Sequence, residues 1–261
     1  MISASGGGIT IRDIVSFDEM RQVERLQKRA WGFGDLDVIP LPMLAAAREV
    51  GGVLIGAFEG DRLVGFTFGF LGREGGRFLL HSHMLAVVSG YRNADVGRRL
   101  KMAQRERVLE SGLDRVTWTF DPLQSLNAHL NFAKLGVVSA SYRPDFYGES
   151  TSSHLHTNGT DRLLVTWPVA SNRVATRLEC GFNEAAVLNA VRTAPLMVRA
   201  EADGTPAVNP DAVGAAQLLI AIPDSAAGQD AALARMWRTA TREAFTLALD
   251  AGYLVEEFCR A

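Results

Sequence analysis

Lysine is almost missing from this chain: among 261 residues only Lys28, Lys101 and Lys134 occur. Arginine and alanine are abundant instead, a bias that reflects base composition rather than function. The formal net charge is −2, so there is no basic field of the kind that drives nonspecific nucleic-acid binding. Cysteine is scarce too. Cys180 and Cys259 lie far apart and form neither a CxxC pair nor a Cys/His ligand spacing, which excludes a disulfide framework and a zinc-type motif and fits two reduced thiols. No apolar run reaches the length of a membrane span; the longest, around Leu63–Leu71, is broken by glycines. The opening MISASGGGIT lacks a basic region followed by an apolar segment. It therefore reads as a flexible lead-in rather than a secretory signal, and a cytoplasmic location is expected. Apolar residues make up 48% of the chain, enough for a sizeable core and too many for global disorder.

The pattern along the chain alternates between strand and helix signals. Ile9–Val15 alternates as a first strand, and Phe17–Trp31 carries an apolar helical stripe. Pro40 and Pro42 open a second helix that continues through Leu41–Val50 and stops at Gly51-Gly52. Val53–Glu59 and Leu63–Leu71 form a hairpin through Gly60-Asp61-Arg62, and Glu74-Gly75-Gly76-Arg77 turns into a strand over Phe78–Val88. Asp95–Ser111 is an amphipathic helix, Val116–Phe120 a short strand, and Ser125–Leu135 a helix closed by Gly136. Val137–Tyr142 and Leu163–Trp167 are strands on either side of a long polar loop, Pro144–Thr160. Beyond Val169 the patterning is mixed. Gln217–Ile222 suggests a strand, Gln229–Ala251 a strong helix, and Gly252–Phe258 a last strand. The expected organisation is an α/β domain over residues 1–169 and an α/β extension over residues 170–261.

Chemistry concentrates between Leu79 and Leu100. A buried strand runs through a tight polar turn into a helix that opens on Arg92-Asn93-Ala94-Asp95-Val96-Gly97-Arg98. Such a junction aims backbone N–H groups at one spot, which suits a phosphate or diphosphate. The strand before it carries His81 and His83, two apart and so on one face, with Ser82 on the other. An imidazole titrates near pH 6.5 and can take a proton from an amine at working pH.

The order β-α-α-β-β-β-α-β-α-β, with this junction in the middle, resembles the GNAT superfamily of acyl-CoA N-acyltransferases over Ile9 to about Trp167. The family's turn motif is Gln/Arg-x-x-Gly-x-Gly/Ala, and here Asp95 stands where the first glycine falls. The resemblance implies a mixed, mostly antiparallel central sheet flanked by helices. It implies that Arg92, Asn93, Ala94, Asp95, Val96, Gly97 and Arg98 hold the diphosphate of acetyl-CoA or another acyl-CoA. The pantetheine arm would lie along Leu85, Ala86 and Val87, where a bulge or splay frees the strand, and Asn127 or Asn131 would contact its amides. The fourth and fifth strands are expected to separate between Met84–Val87 and Trp118–Phe120. The HSHM strand resembles that of serotonin N-acetyltransferase, which implies a proton relay through water by His81 and His83. The tyrosine that often protonates the departing thiolate is replaced by Phe132, leaving Tyr142 or Tyr147 as substitutes.

The implied activity is transfer of an acyl group, acetyl first of all, to a primary amine of a small molecule such as an amino acid. The extended GNAT-like proteins with an HSHM strand and a WR–GY tail also suggest N-succinylation of amino acids. A noncatalytic CoA-binding sensor is the alternative that the Asp95 and Phe132 departures motivate. Asp121 either caps the next helix, or orients a histidine or binds the substrate ammonium. His154 and His156 lack a third ligand at readable spacing, so no metal is expected. Neither nucleic acid nor membrane is an expected partner, and the extension could supply a homodimer contact.

Overall fold

A computed structural model describes residues 8–91, 94–148, 158–224 and 230–260. The lead-in, Arg92 and Asn93, and the His154/His156 pair therefore lie outside the described residues. By contacts the chain divides into two compact units, one up to Trp118 and one from Thr119 onward.

The first unit starts with strand β1 (Thr10–Asp13), followed by helices α1 (Phe17–Trp31) and α2 (Leu41–Glu49). The ends of α1 are written in the sequence. Ser16 and Glu19 form a reciprocal capping box, and Gly32 closes the helix in the left-handed conformation. Strands β2 (Val53–Glu59), β3 (Arg62–Glu74) and β4 (Arg77–Val87) follow, then helix α3 (Val96–Glu110) and strand β5 (Val116–Phe120). Gly75 and Gly76 both take positive φ, which lets a two-residue turn join β3 to β4. The strands β1 to β4 pair antiparallel in sequence order, and β5 pairs parallel with β4.

Helices cover both faces of this sheet. The Trp31 ring of α1 meets Phe66 edge-on at 6.1 Å, while Gln104 of α3 bonds Thr67, the next residue of β3. Successive side chains on β3 thus point to opposite helical layers. Met20, Val23, Phe66, Phe68, Leu80 and Leu100 are fully buried between them.

The second unit contains α4 (Ser125–Ala128), which runs into a π-helical segment over His129–Leu135. The sequence pattern predicts one continuous α-helix there. The wider winding is explained by what sits at its end. The Nη1 of Arg177 donates to the carbonyls of Phe132 and Ala133, and the amide of Gly136 reaches back to Asn131 and Phe132. Strands β6 (Val138–Arg143) and β7 (Arg162–Trp167) pair antiparallel. The stretch from Asn172 resolves into helices α5 (Asn172–Cys180) and α6 (Glu184–Ala190), then strands β8 (Leu196–Ala200), β9 (Pro206–Val208) and β10 (Leu219–Ile220) in the order β10-β8-β9.

The long helix α7 (Ala231–Asp250) packs on β6 and on all three of those strands. Leu123, Met197, Val198, Trp237 and Ala244 form the core there. The expected strand over Gly252–Phe258 reduces to a single bridge between Val255 and Ser139. The division after Trp118 comes well before the composition change at Val169. Its reason is that β6 and α7 lock together: Tyr142 stacks on Phe245, and Arg242 pairs with Asp161. No helix among the described residues is long and apolar enough to cross a membrane.

Candidate functional site

The site is built on β4 and the first turn of α3, both in the first unit. The β3–β4 register pairs Phe68 with Met84 but Gly69 with Ser82, so His83 is an extra, bulged residue. Gly69 opposite the bulge has no room for a side chain: a Cβ there would lie 2.9 Å from the His81 carbonyl oxygen. On its other edge β4 pairs with β5 only at Leu80–Val116 and His81–Thr117. Met84 and Leu85 have no ladder partner on β5, which is the strand separation the sequence led us to expect.

The bulge inverts the side-chain alternation of β4. Before it, Ser82 faces α3 and His81 the other side. After it, Leu85 and Val87 face α3, with Leu85 Cδ2 lying 4.0 Å from where a Cβ of Gly97 would stand. His81 and His83 share the face away from α3, their ring centroids 6.4 Å apart, with Phe70 at 5.4 Å from one and 5.7 Å from the other. The Nδ1 of His81 lies 3.1 Å from the Thr117 hydroxyl. Burial lowers the pKa of His81 to about 4, with the charges of His83 and Lys101 adding to it. Burial lowers that of His83 as well. Both rings are therefore neutral near pH 7.

At the head of α3, Val96 is fully buried and fixes the turn. The first intrahelical bond runs from Arg99 N–H to the Asp95 carbonyl, so the amides of Val96, Gly97 and Arg98 precede it and point outward from the helix end. The Ala94 amide is used inside the turn, donating to Tyr91. Asp95 has φ 55° and ψ 16°, the left-handed region that glycine enters freely and aspartate tolerates. The Asp95 carboxylate accepts from Arg98 Nε at 2.7 Å, which neutralises it. A Cβ at Gly97 would meet nothing nearer than the Leu85 side chain, and Ala86 is buried between its strand neighbours. An open cradle of amides, one guanidinium and a side-chain-free glycine fits a diphosphate.

Behind the histidines lies a polar cluster that the sequence reading did not single out. Lys101 is 2% exposed and Gln104 is fully buried. The Lys101 Nζ, its pKa pushed well below the usual lysine range by burial, donates to Ser82 Oγ at 2.8 Å and Gln104 Oε1 at 3.0 Å, and sits 3.6 Å above the Trp118 ring. Gln104 donates to Thr67, and Thr67 donates to the Met84 carbonyl. The available signal was two polar residues on the buried stripe formed by Val96, Leu100 and Val108.

The remaining candidates belong to the second unit. Asn127 is exposed and Asn131 is buried within the π-helical segment. Tyr142 is buried and donates to Asp161 at 2.6 Å; burial and that carboxylate raise its pKa far above the usual tyrosine range. Its proton is committed to Asp161, which also binds Arg242, so the geometry opposes its expected part as acid to a departing thiolate. Tyr147 approaches the Thr119 hydroxyl at 3.2 Å, and Phe132 packs edge-on against Phe120. Asp121 accepts the Leu123 amide as a turn cap and is also held by both Nη atoms of buried Arg238 at 2.8 Å. Among the described residues, no group of three His, Cys, Asp or Glu is placed to hold a metal ion.

A mixed, mostly antiparallel sheet flanked by helices in this order matches the fold of the GNAT N-acetyltransferases. The chain is similar to the ribosomal-protein-S18-alanine N-acetyltransferase from Escherichia coli, with a TM-score of 0.50 at 13% identity over 63% of this chain and 96% of that one. It is similar to a GNAT-family protein from Desulfovibrio desulfuricans, with a TM-score of 0.50 at 15% identity over 62% of this chain and 100% of that one. YncA from Salmonella typhimurium, solved with acetyl-CoA, gives a TM-score of 0.50 at 13% identity over 63% of this chain and 96% of that one. No family model and no curated protein matches the sequence.

Proposed function

We propose that this protein transfers an acyl group from an acyl-CoA to the amine of a small molecule. One observation carries the reading: the β4–β5 ladder ends at His81–Thr117, directly before a bulged His83 and within reach of the open first turn of α3. The amides of Val96, Gly97 and Arg98, with the Arg98 guanidinium, hold the diphosphate. The β4 edge from Leu85 to Val87 receives the pantetheine amides as an added strand would. The donor supplies an activated thioester carbonyl. A backbone N–H near the bulge stabilises the charge that develops on its oxygen. His81 and His83, through water, take the proton of the acceptor amine. Burial keeps both rings neutral near pH 7; as the amine adds to the thioester carbonyl its nitrogen becomes acidic and gives its proton through water to an imidazole, the C–S bond breaks, and that proton passes through solvent to the departing CoA thiolate. Because Asp95 keeps the left-handed turn and is neutralised by Arg98, its presence argues less for a noncatalytic sensor than its charge alone does.

The test pairs CoA binding by calorimetry with thiol release from mixed acyl-CoAs against a panel of amino acids and amines. Thiol release with an acylated amine in the product spectrum supports the reading. His83→Ala is expected to lower turnover by roughly a hundredfold with less effect on the donor KM. Binding without thiol release for any amine supports a sensor, and no binding at all overturns the assignment.

A further inference from the structure

We propose that Lys101 and Gln104 of α3 are positioning residues that clamp the β4 bulge from the face opposite the imidazoles. The inference rests on the acyltransfer reading for its consequence in turnover. The clamp itself is a matter of geometry. Lys101 grips Ser82, the residue between the two histidines. Gln104 acts through Thr67 on the Met84 carbonyl, the residue just after His83. The extra residue of the bulge is thus held on both sides from one face of one helix. That same helix begins at the turn proposed to receive the diphosphate, so donor docking and the setting of the histidines share one rigid element.

Stability does not explain this arrangement. No carboxylate among the described residues forms a salt bridge with Lys101, burial pushes its pKa well below the usual lysine range, and burying a polar amine there is unfavourable relative to an apolar side chain of the same length. Its neighbours on the buried stripe, Leu100 and Val108, show that an apolar residue suits the layer. What the lysine adds is direction: its donors meet the Ser82 hydroxyl and the Gln104 carbonyl while the Trp118 ring covers it. The titratable groups that act on His81 are His83, on the same face of its own strand, and Lys101, behind the strand on α3. Thr117 on β5 and Phe70 on β3 carry no charge.

The experiment compares Lys101→Met, Ser82→Ala and the double variant with the parent protein. Carbon-detected imidazole resonances are followed from pH 3.5 to 8, together with steady-state acyl transfer. The clamp requires three results. Lys101→Met melts at or above the parent temperature. The His81 midpoint rises by roughly half a unit or more as the neighbouring cation is lost. Turnover falls roughly tenfold with donor KM within about twofold, and the double variant is no worse than the worse single one. Folded variants with the parent's histidine midpoints and turnover overturn the proposal. If Lys101→Met does not fold, Ser82→Ala, which keeps Lys101 and removes only its grip on the strand, decides by turnover and donor KM. If no amine is acylated, the acyltransfer reading falls and Ser82→Ala decides the clamp alone: displaced His81 and His83 ring resonances with Lys101 still present support it, and unchanged ones overturn it.

Discussion

Acidification should weaken this protein through His81 in a way that one substitution removes. In the folded chain the ring has its pKa lowered from 6.5 to about 4 by burial, then by His83 and Lys101. In the unfolded chain it returns to its ordinary value. Between those two pH values the unfolded state holds a proton that the folded state does not. Stability from this group is therefore complete above about pH 6.5 and is lost as pH falls toward about 4, below which the loss is constant. A difference of this size corresponds to about 3 kcal/mol, and the partial exposure of the ring trims it to about 2 kcal/mol. Carboxylates such as Glu19, whose pKa is lowered to about 2, weaken the fold at acid pH as well. The comparison must subtract them. Urea denaturation of the parent and of His81→Gln, which keeps a polar partner for Thr117, should be run at pH 7.5 and pH 4.0. The parent is expected to lose about 2 kcal/mol more than the variant over that interval. Equal losses in both proteins would show that His81 is not desolvated as described. The same displacement puts the acid limb of kcat/KM below the usual imidazole range.

Two further outcomes follow from ion pairs at particular places. Asp95→Asn keeps a residue that tolerates the left-handed turn and frees Arg98 from its carboxylate, so CoA should bind roughly fivefold more tightly by calorimetry, whereas Arg98→Met should weaken it. Arg238→Met strands the buried Asp121 carboxylate and should cost about 3 to 5 kcal/mol in denaturant unfolding, a loss that Asp121→Asn in the same chain should partly restore.

Much of the fold is visible in the letters because local signals and packing agree. The bounds of α1, β2 and β5 coincide with the expected ones, since a capping box, a left-handed glycine and short apolar runs mark them. What escapes is set at a distance. The π-helical winding before Gly136 depends on Arg177, far along the chain. Helices α5 and α6 are short, and their starts at Ser171 and Asn183 are conventional caps hidden among prolines and polar residues. The site divides in the same way. His81 and His83 are legible as a pair on one face, and the turn as a helix start. Lys101 and Gln104 are not, because polar residues on a helix read as surface until the strand behind them is known. Asp95 invites a judgement by its charge, whereas its backbone angle is what the turn uses.

The supernumerary residue of β4 makes the strand's length a matter of odd and even. Removing or adding one residue between the hairpin and Val87 would put either the imidazoles or the apolar edge on the wrong side of the sheet. A change of two would leave both where they are. Length variation in this segment can accordingly be tolerated only in pairs, and a design that shortens it by one exchanges its two working surfaces.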